Sequence, residues 1–397
     1  MDEDRSRLFT PAFIALSLAE LAYFTAAGLT IPITPLFAHG PLGATAEGVG
    51  LAVGVFSVTA LILRPFAGRA ADRFGRRPLL VGGALAYAAT LAVHAVIADL
   101  AGLVVLRLLL GVAEAFFFVA GFAAVADLAP KGRAGEALSY NSLSLYLGIA
   151  LGPLVGQVLL DGGGFPLAWI GGAILSLVAA GLAWRIPETG SPTRERGKPT
   201  PLVHRRAIAP SFVLFTGIAG MSGFFAFVAL HATENLGLET VSGPLFLFGI
   251  VVVVTRIAFA RLPDRVAPFR LGAAALTLCA IGLVVAGGVA TVPGLLIGSS
   301  IMAVGVAFTT PAMFAAIFSR VEPAERGSAS GTASLFLDLA FGGGPMLLGL
   351  VAGAQGIPAA FLVAAAVAAV GAAASIVLAL RERPISVEPS LAQRSLD

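Results

Sequence analysis

Charge is what this 397-residue chain has least of. Only 12% of it is Asp, Glu, Lys or Arg, about half of the roughly 25% found in soluble domains. Hydrophobic residues make up 58%, and the mean hydropathy is +0.94. Such a chain cannot clothe a surface facing water, and a bilayer is the solvent that fits it. The single cysteine, Cys279, lies in an apolar run, which excludes a disulfide framework and a thiolate metal cluster. Four histidines, His39, His94, His204 and His231, show no ligand spacing. No metal or cofactor is therefore expected. There is no P-loop, no dinucleotide fingerprint and no Ser/His/Asp arrangement, so neither ATP as a fuel nor an enzyme is expected. A pI near 9.4 would suit a nucleic-acid partner in a soluble protein. Here the placement of the basic residues accounts for it, and no nucleic-acid partner is expected. Residues 1–7 mix Asp2, Glu3 and Asp4 with Arg5 and Arg7, and the apolar run that follows is too long for a signal peptide. A cleavable leader is not expected.

What the chain does have is long apolar runs. Spans of about 20 residues suited to a membrane helix fall at roughly 9–36, 47–66, 79–98, 101–126, 136–160, 166–186, 208–231, 242–262, 271–290, 294–318, 327–352 and 358–380. Twelve spans with both termini on one side put every Lys and Arg on that side except Arg64, Arg107 and Arg256, which lie within spans. The loops of the other side hold none. The bias of basic residues toward the cytoplasm then places both termini inside, and the richness in Ala, Gly and Arg suggests a bacterial cell membrane.

The longest polar segment, 187–207, reads "PETGSPTRERGKPTPLVHRRA" and has the composition of a cytoplasmic linker. It separates six spans in 1–186 from six in 208–397. The halves echo each other. Arg64, Arg69, Asp72, Arg73 and Leu79 match Arg256, Arg261, Asp264, Arg265 and Leu271, each pair 192 residues apart. Pro130 and Arg133 match Pro323 and Arg326 at 193, and Gly152-Pro153 matches Gly344-Pro345 at 192. Three separated matches at nearly one offset indicate an internal repeat. Equal, even span numbers give the two copies the same orientation, as in carriers built from parallel repeats.

Several short motifs carry a resemblance. "GRAADRFGRR" has Gly68, Asp72, Arg73, Gly75, Arg76 and Arg77 at the spacing G-x-x-x-D-R-x-G-R-R, and in these residues the chain resembles the major facilitator superfamily at its loop between spans 2 and 3. "RLLLGVAEA", with Arg107, Gly111 and Ala115, is similar to that family's helix 4 motif. "GIALGPLVG", with Gly148, Gly152, Pro153 and Gly156, resembles its helix 5 antiporter motif. Pro32 and Pro35 resemble the proline pair late in helix 1 of twelve-span drug–proton antiporters. The resemblance covers nearly the whole chain and is greatest to bacterial arabinose-type and multidrug efflux carriers. It departs at Glu114, where a small residue is usual, and at Arg261, Asp264 and Arg265, where the second copy of the loop lacks the glycines and the final Arg pair. The resemblance implies an all-α membrane protein of twelve helices in two six-helix bundles, acting as a monomer. It also implies that Asp72 faces the start of the eleventh span near Gly327 and Ser328 and latches the outward-facing state.

Charges inside spans are the strongest pointers to function, because each costs on the order of 2.5–3.5 kcal/mol at a helix centre. Glu20, Arg107, Glu114 and Asp338 are such residues, with Tyr23 and Tyr146 among the polar groups near them. They are expected to face an interior and to be paired or neutral. Glu114 follows Arg107 by two turns, about 10 Å of rise, so Arg107 is expected to pair with Glu20 instead. Burial disfavours a charged carboxylate and a nearby guanidinium favours it, so a carboxyl moved between the two settings can bind and release a proton. Glu20, Glu114 and Asp338 are the candidate proton carriers. The expected activity is proton-coupled efflux of amphipathic drugs or other small molecules by alternating access, with a bilayer, protons and a small substrate as partners. A sugar or metabolite carrier, exporting or running as a proton symporter, is the alternative. It would need many more hydrogen-bonding side chains in its pocket than the short list here supplies.

Overall fold

The computed structural model describes residues 8–130, 134–189, 203–238, 242–259, 261–321 and 325–381. Lys131, Arg133, Arg194, Arg196 and Lys198 lie outside these, as do the side chains of Asp264, Arg326, Gly327 and Ser328. The helices are α1 (Pro11–His39), α2 (Ala46–Gly54), α3 (Phe56–Phe74), α4 (Arg76–His94), α5 (Leu100–Leu128), α6 (Ala134–Trp184), α7 (Arg205–Leu230), α8 (Ser242–Ala258), α9 (Leu262–Arg265), α10 (Pro268–Gly288), α11 (Val292–Phe318), α12 (Arg326–Gln355) and α13 (Ile357–Arg381). A π-helical turn, His231–Asn235, extends α7. Among the described residues, nine helices are long and apolar enough to cross a membrane. One of these, α6, bends back at Gly163 and Gly164, where the backbone is non-helical, and so makes two passes. The shorter α8 and the Arg-headed α4 fill the two remaining positions of the twelve apolar runs.

Local chemistry sets the helix boundaries. Thr10, Thr45, Asp99 and Thr291 each accept a hydrogen bond from a backbone N–H in the first turn of α1, α2, α5 and α11, satisfying donors that a helix start leaves unpaired. The stretch "GRAADRFGRR" is helical to Phe74, and the turn between α3 and α4 is Gly75 alone, at φ 94° and ψ 167°. The polar residues expected in a loop therefore extend helices instead.

Packing follows the repeat. In the first half α1 lies along α6, α4 packs on α5 and α6, and α3 packs on α5. In the second half α7 lies along α12 and α13, and α10 packs on α11 and α13. The halves meet where α2 and α3 pack on α12, α6 packs on α8, and α1 packs on α7. Large apolar side chains such as Ile62, Val105, Ile174, Val254, Leu347 and Val370 stay exposed on the flanks, as lipid-facing positions require. The α7 helix, by contrast, is buried almost throughout.

Candidate functional site

Several charged residues within the helices lie inside the bundle, with Glu114 of α5 neighbouring Tyr23, Arg64 and Asp338. Glu20 of α1 is 3% exposed. It packs against Gly121 of α5, where a Cβ would lie 2.6 Å from Glu20 Oε1. Its carboxylate accepts a hydrogen bond from the Asn141 amide of α6. Asn141 Oδ1 in turn accepts from Ser17 Oγ at 3.2 Å. One turn along α1, the buried Tyr23 ring stacks on Phe117 at 3.8 Å. Tyr23 neighbours the partly exposed Glu114, yet its hydroxyl has no hydrogen-bond partner of ordinary geometry.

Two arginines that sequence reasoning had placed within spans, but not in the site, join this set. Arg64 Nε of α3 lies 2.7 Å from Asp338 Oδ2 of α12. Its guanidinium sits 4.5 Å above the Phe118 ring, one turn from Glu114 on the same face of α5. Arg256 Nη2 of α8 donates to the Tyr146 hydroxyl of α6 at 2.7 Å, and its guanidinium lies 3.9 Å over that ring. The two contacts are the same contact made twice. Arg64 and Arg256 are 192 residues apart, and so are Tyr146 and Asp338. The repeat offset alone could have drawn attention to them.

Arg107 does not pair with Glu20. Its Nε and Nη2 donate to the carbonyls of Ala52 and Val53 at 2.9 and 3.2 Å, and it covers Phe56 at 4.9 Å. The helical hydrogen bonding is interrupted at Val55, between α2 and α3, although its backbone stays helical at φ −63° and ψ −25°, and the guanidinium satisfies carbonyls next to that point. Gly111, a turn further on, lets α5 approach: a Cβ there would lie 2.0 Å from the Phe56 carbonyl oxygen. The helix 4 motif thus fastens the junction of α2 and α3. Among the described residues, neither Glu20 nor Glu114 has a cation at salt-bridge distance.

The loop signature forms a separate cluster at one end. Arg76 is buried and reaches Asp72 Oδ1 at 2.9 Å and Asp127 Oδ2 at 3.2 Å. The backbone N–H groups of Arg76 and Arg77 donate to the two oxygens of Glu188, at 2.7 and 3.2 Å. Glu188, at the start of the polar segment 187–207, therefore caps α4. Gly75 faces that carboxylate, and a Cβ there would fall 2.3 Å from Glu188 Oε2. Arg73 lies over Phe74 and Arg77 over Trp184, while Gly68 has open space beside it. Asp72 is 67% exposed and engaged with Arg76, the first residue of the next helix, α4. In the second half, Arg261 and Arg265 are exposed beside α9 and line a concavity of about 350 Å³ with Phe259.

The helix 5 glycines pack closely against α1. Cβ atoms at Gly148 and Gly152 would fall 2.7 Å from the Phe24 carbonyl carbon and 2.4 Å from that of Gly28, and Gly156 rests on Leu29. This packing lies beside Pro153 within the α6 helix and joins α6 to α1. Gly344 repeats it against Ala219 and Ser222 of α7.

The end of the molecule away from Asp72 is closed across the halves. Cβ atoms at Gly50 and Gly54 of α2 would lie 2.4 and 2.3 Å from the carbonyl oxygens of Pro345 and Gly342. Glu47 lies against Gly353. His39 Nε2 meets Glu234 Oε1 at 2.7 Å, joining α1 to the π turn. His231 and His94 are buried, with Nδ1 on the Asn235 side chain and on the Thr90 carbonyl. At the Asp72 end, among the described residues, Asp72 and Asp127 pair with Arg76, and Glu325 pairs with His204.

A helical bundle that crosses a membrane many times, buries acids and arginines where its halves meet, and closes at one end defines a multi-pass membrane carrier. The comparisons give the family. A profile of the Major Facilitator Superfamily matches residues 16–342 and 270–395, and the chain belongs to that family of transporters, which are not enzymes. It is 30% identical over 366 residues to an uncharacterized MFS-type transporter of Salmonella typhimurium, covering 90% of this chain and 94% of the relative. Solved structures share the fold. The nucleoside transporter NupG superposes with a TM-score of 0.77 at 14% identity, over 92% of this chain and 99% of NupG. A bacterial homologue of the human lysosomal transporter Spinster, in an inward-facing and occupied conformation, gives 0.75 at 15% identity, over 93% and 96%.

Proposed function

We propose that this carrier is a proton-coupled exporter of amphipathic small molecules, working by alternating access between a bundle of residues 1–186 and one of 208–397. The observation that carries the reading is the imbalance of charge inside the bundle. Glu114 and Asp338 are neighbours and Glu20 lies further along α5, against Gly121, while Arg107 is held by carbonyls and Arg256 by Tyr146, leaving Arg64 alone among the described residues to neutralise one of these carboxylates. Carboxyls without cations in a low-dielectric interior are groups that take and give up protons as their surroundings change. The surroundings favour an amphipathic cargo. Phe118, Phe122 and Tyr146 are partly or largely exposed among those acids, and a mostly apolar, aromatic pocket with a few charged groups selects such ligands.

With the termini in the cytoplasm, as the basic residues favour, the seam of Gly50, Gly54 and Gly342 lies at the outer face of a bacterial inner membrane. The Asp72 cluster then lies at the cytoplasmic face, and the closed seam is the outward one. Asp72 and the second-half set Arg261, Asp264 and Arg265 act at the inner gate, which closes when the bundles rock. A potential of about 100 mV contributes some 2.3 kcal/mol per proton carried inward, enough for a modest substrate gradient.

Proteoliposome flux tests the reading. A lipophilic cation and a sugar are each followed with and without an imposed pH gradient. The cation is expected to accumulate only with the gradient and the sugar not to move. Movement of the sugar alone, or of the cation regardless of the gradient, contradicts the proposal.

A further inference from the structure

The two repeat-related contacts differ in one respect. On the α6–α8 seam the arginine meets the Tyr146 hydroxyl. On the α3–α12 seam the equivalent arginine meets a carboxylate. Neighbouring contacts on the two seams match as well, with Ser57 against Gly342 on one and Gly249 against Ala150 on the other. The seams are therefore built alike, and the difference lies in the partner, Asp338 or Tyr146.

The Arg64–Asp338 contact is close but poorly directed. Arg64 Nε and Asp338 Oδ2 approach to 2.7 Å, yet neither atom makes a hydrogen bond of ordinary geometry, although both are buried. An ordinary arginine–carboxylate pair gains most from two parallel N–H···O bonds. Here Coulomb attraction acts without them. Asp338 is 4% exposed and Arg64 17%. Arg64 also has a second place to go, since it rests on Phe118, a turn from Glu114. The charged or titratable groups facing Asp338 are Arg64 from α3 and Glu114 from α5. On α2, α7, α11 and α13, which also pack against α12, such residues lie at or beyond the helix ends: Glu47, Arg205, Arg206, His231, Arg320 and Arg381.

We infer that Asp338 is the binding site for the cationic group of the substrate, and that Arg64 is a tethered competitor which occupies it until substrate arrives. This rests on the exporter reading above and names its substrate class, amphipathic organic cations. A cation entering from the Asp72 side, past Phe118 and Phe122, takes the Asp338 carboxylate. Arg64 swings toward Glu114 within its own half. The α3–α12 seam loses its cross-half ion pair and opens at the end closed by Gly50, Gly54 and Gly342. The Arg256–Tyr146 seam holds no carboxylate for the cation to claim and stays as it is. Substrate thus releases the lock that faces the side to which it is delivered.

The test uses the full chain, purified in nanodiscs, with radiolabelled tetraphenylphosphonium as the probe. Removing a competitor tightens binding, so Arg64→Gln is expected to bind the cation roughly five- to a hundredfold more tightly, the span of ordinary coupling between sites. Asp338→Asn is expected to lose binding by at least as much. Arg69→Gln, which removes a neighbouring cation on the same helix, is expected to match the unsubstituted chain. A merely structural Arg64 would give weaker or unchanged binding, and that result overturns the inference, as does undiminished binding by Asp338→Asn. A second measurement needs no change in these residues. Spin labels at Pro41→Cys and Gln355→Cys, in a Cys279→Ser background, report the distance across the closed end. Tetraphenylphosphonium is expected to lengthen it and neutral triphenylphosphine oxide to leave it unchanged. An equal response to both compounds, or to neither, overturns the inference. If binding and opening behave as expected but flux ignores the pH gradient, the proton coupling fails while the Asp338 assignment stands. If flux is proton-coupled and Asp338→Asn binds normally, the assignment fails alone.

Discussion

Replacing Gly54 with alanine adds one methyl group where backbone meets backbone between the halves. Its Cβ would lie 2.3 Å from the Gly342 carbonyl oxygen and 3.0 Å from Met346 Cγ. The oxygen belongs to the helix backbone and cannot turn aside, so α2 and α12 must part by about 1 Å to restore ordinary contact. Overpacking of this kind costs typically 1–3 kcal/mol. The helix-propensity gain of alanine over glycine applies whether the seam is open or shut and cancels. The clash exists only in the shut state, so the whole cost shifts the equilibrium toward opening, by a factor of roughly 5 to 150. The label pair at positions 41 and 355 reads this as a gain in the long-distance population without substrate. Gly152→Ala is the contrasting variant. Its Cβ would lie 2.4 Å from the Gly28 carbonyl carbon, but both residues belong to the first half, so stability falls and the open population does not rise. Gly82→Ala, with open space around it, changes neither. An unchanged distance distribution in Gly54→Ala, or a shift as large in Gly152→Ala, would refute the account of the seam.

Three further outcomes are expected. Glu20→Gln keeps an oxygen for the Asn141 amide and stays folded, but gradient-driven flux falls at least tenfold while downhill flux persists; equal loss of both modes would make Glu20 structural. Arg107→Gln strips the carbonyls of Ala52 and Val53 of a charged donor, costing about 1.5–3 kcal/mol; its thermal midpoint drops, and the pH dependence of the remaining flux is unaltered, whereas a shifted pH profile would return Arg107 to the coupling machinery. Gly75→Ala forces a side chain into φ 94° and against the Glu188 carboxylate, and Glu188→Ala uncaps α4; each lowers the thermal midpoint by an amount equivalent to about 1–3 kcal/mol, and wild-type stability in both would remove the cap from the account.

Much of this molecule is legible in its residues. Each apolar run falls on helix, because in a bilayer the backbone must satisfy itself within the segment, though two share the bent α6 and one spans α2 and α3. The glycines of "GIALGPLVG" pack α6 against α1 as their four-residue spacing suggests. Two things could not be read along the chain. The partner of Arg64 is 274 residues away on α12, and only superposing the halves at their common offset shows that Arg64 with Asp338 repeats Arg256 with Tyr146. The partner of Arg107 is backbone, freed by an interruption of the helical hydrogen bonding at Val55 that no proline or glycine at that position announces. A rule that pairs buried charges with buried charges therefore chose Glu20. The polar run at 68–77 misled for a simpler reason. Its Ala, Arg and Phe residues are compatible with helix, and charge alone does not make a loop.

The central claim is that a carboxyl inside the bundle exchanges a proton for substrate. Vesicles holding the purified carrier and a trapped pH dye, preloaded with proton and given no membrane potential, test it most directly. Adding tetraphenylphosphonium outside should draw protons out of the lumen as the cation enters, with a fixed proton-to-cation ratio that vanishes in the Glu20→Gln, Glu114→Gln and Asp338→Asn triple variant. Cation uptake with no accompanying change in lumenal pH would contradict the account.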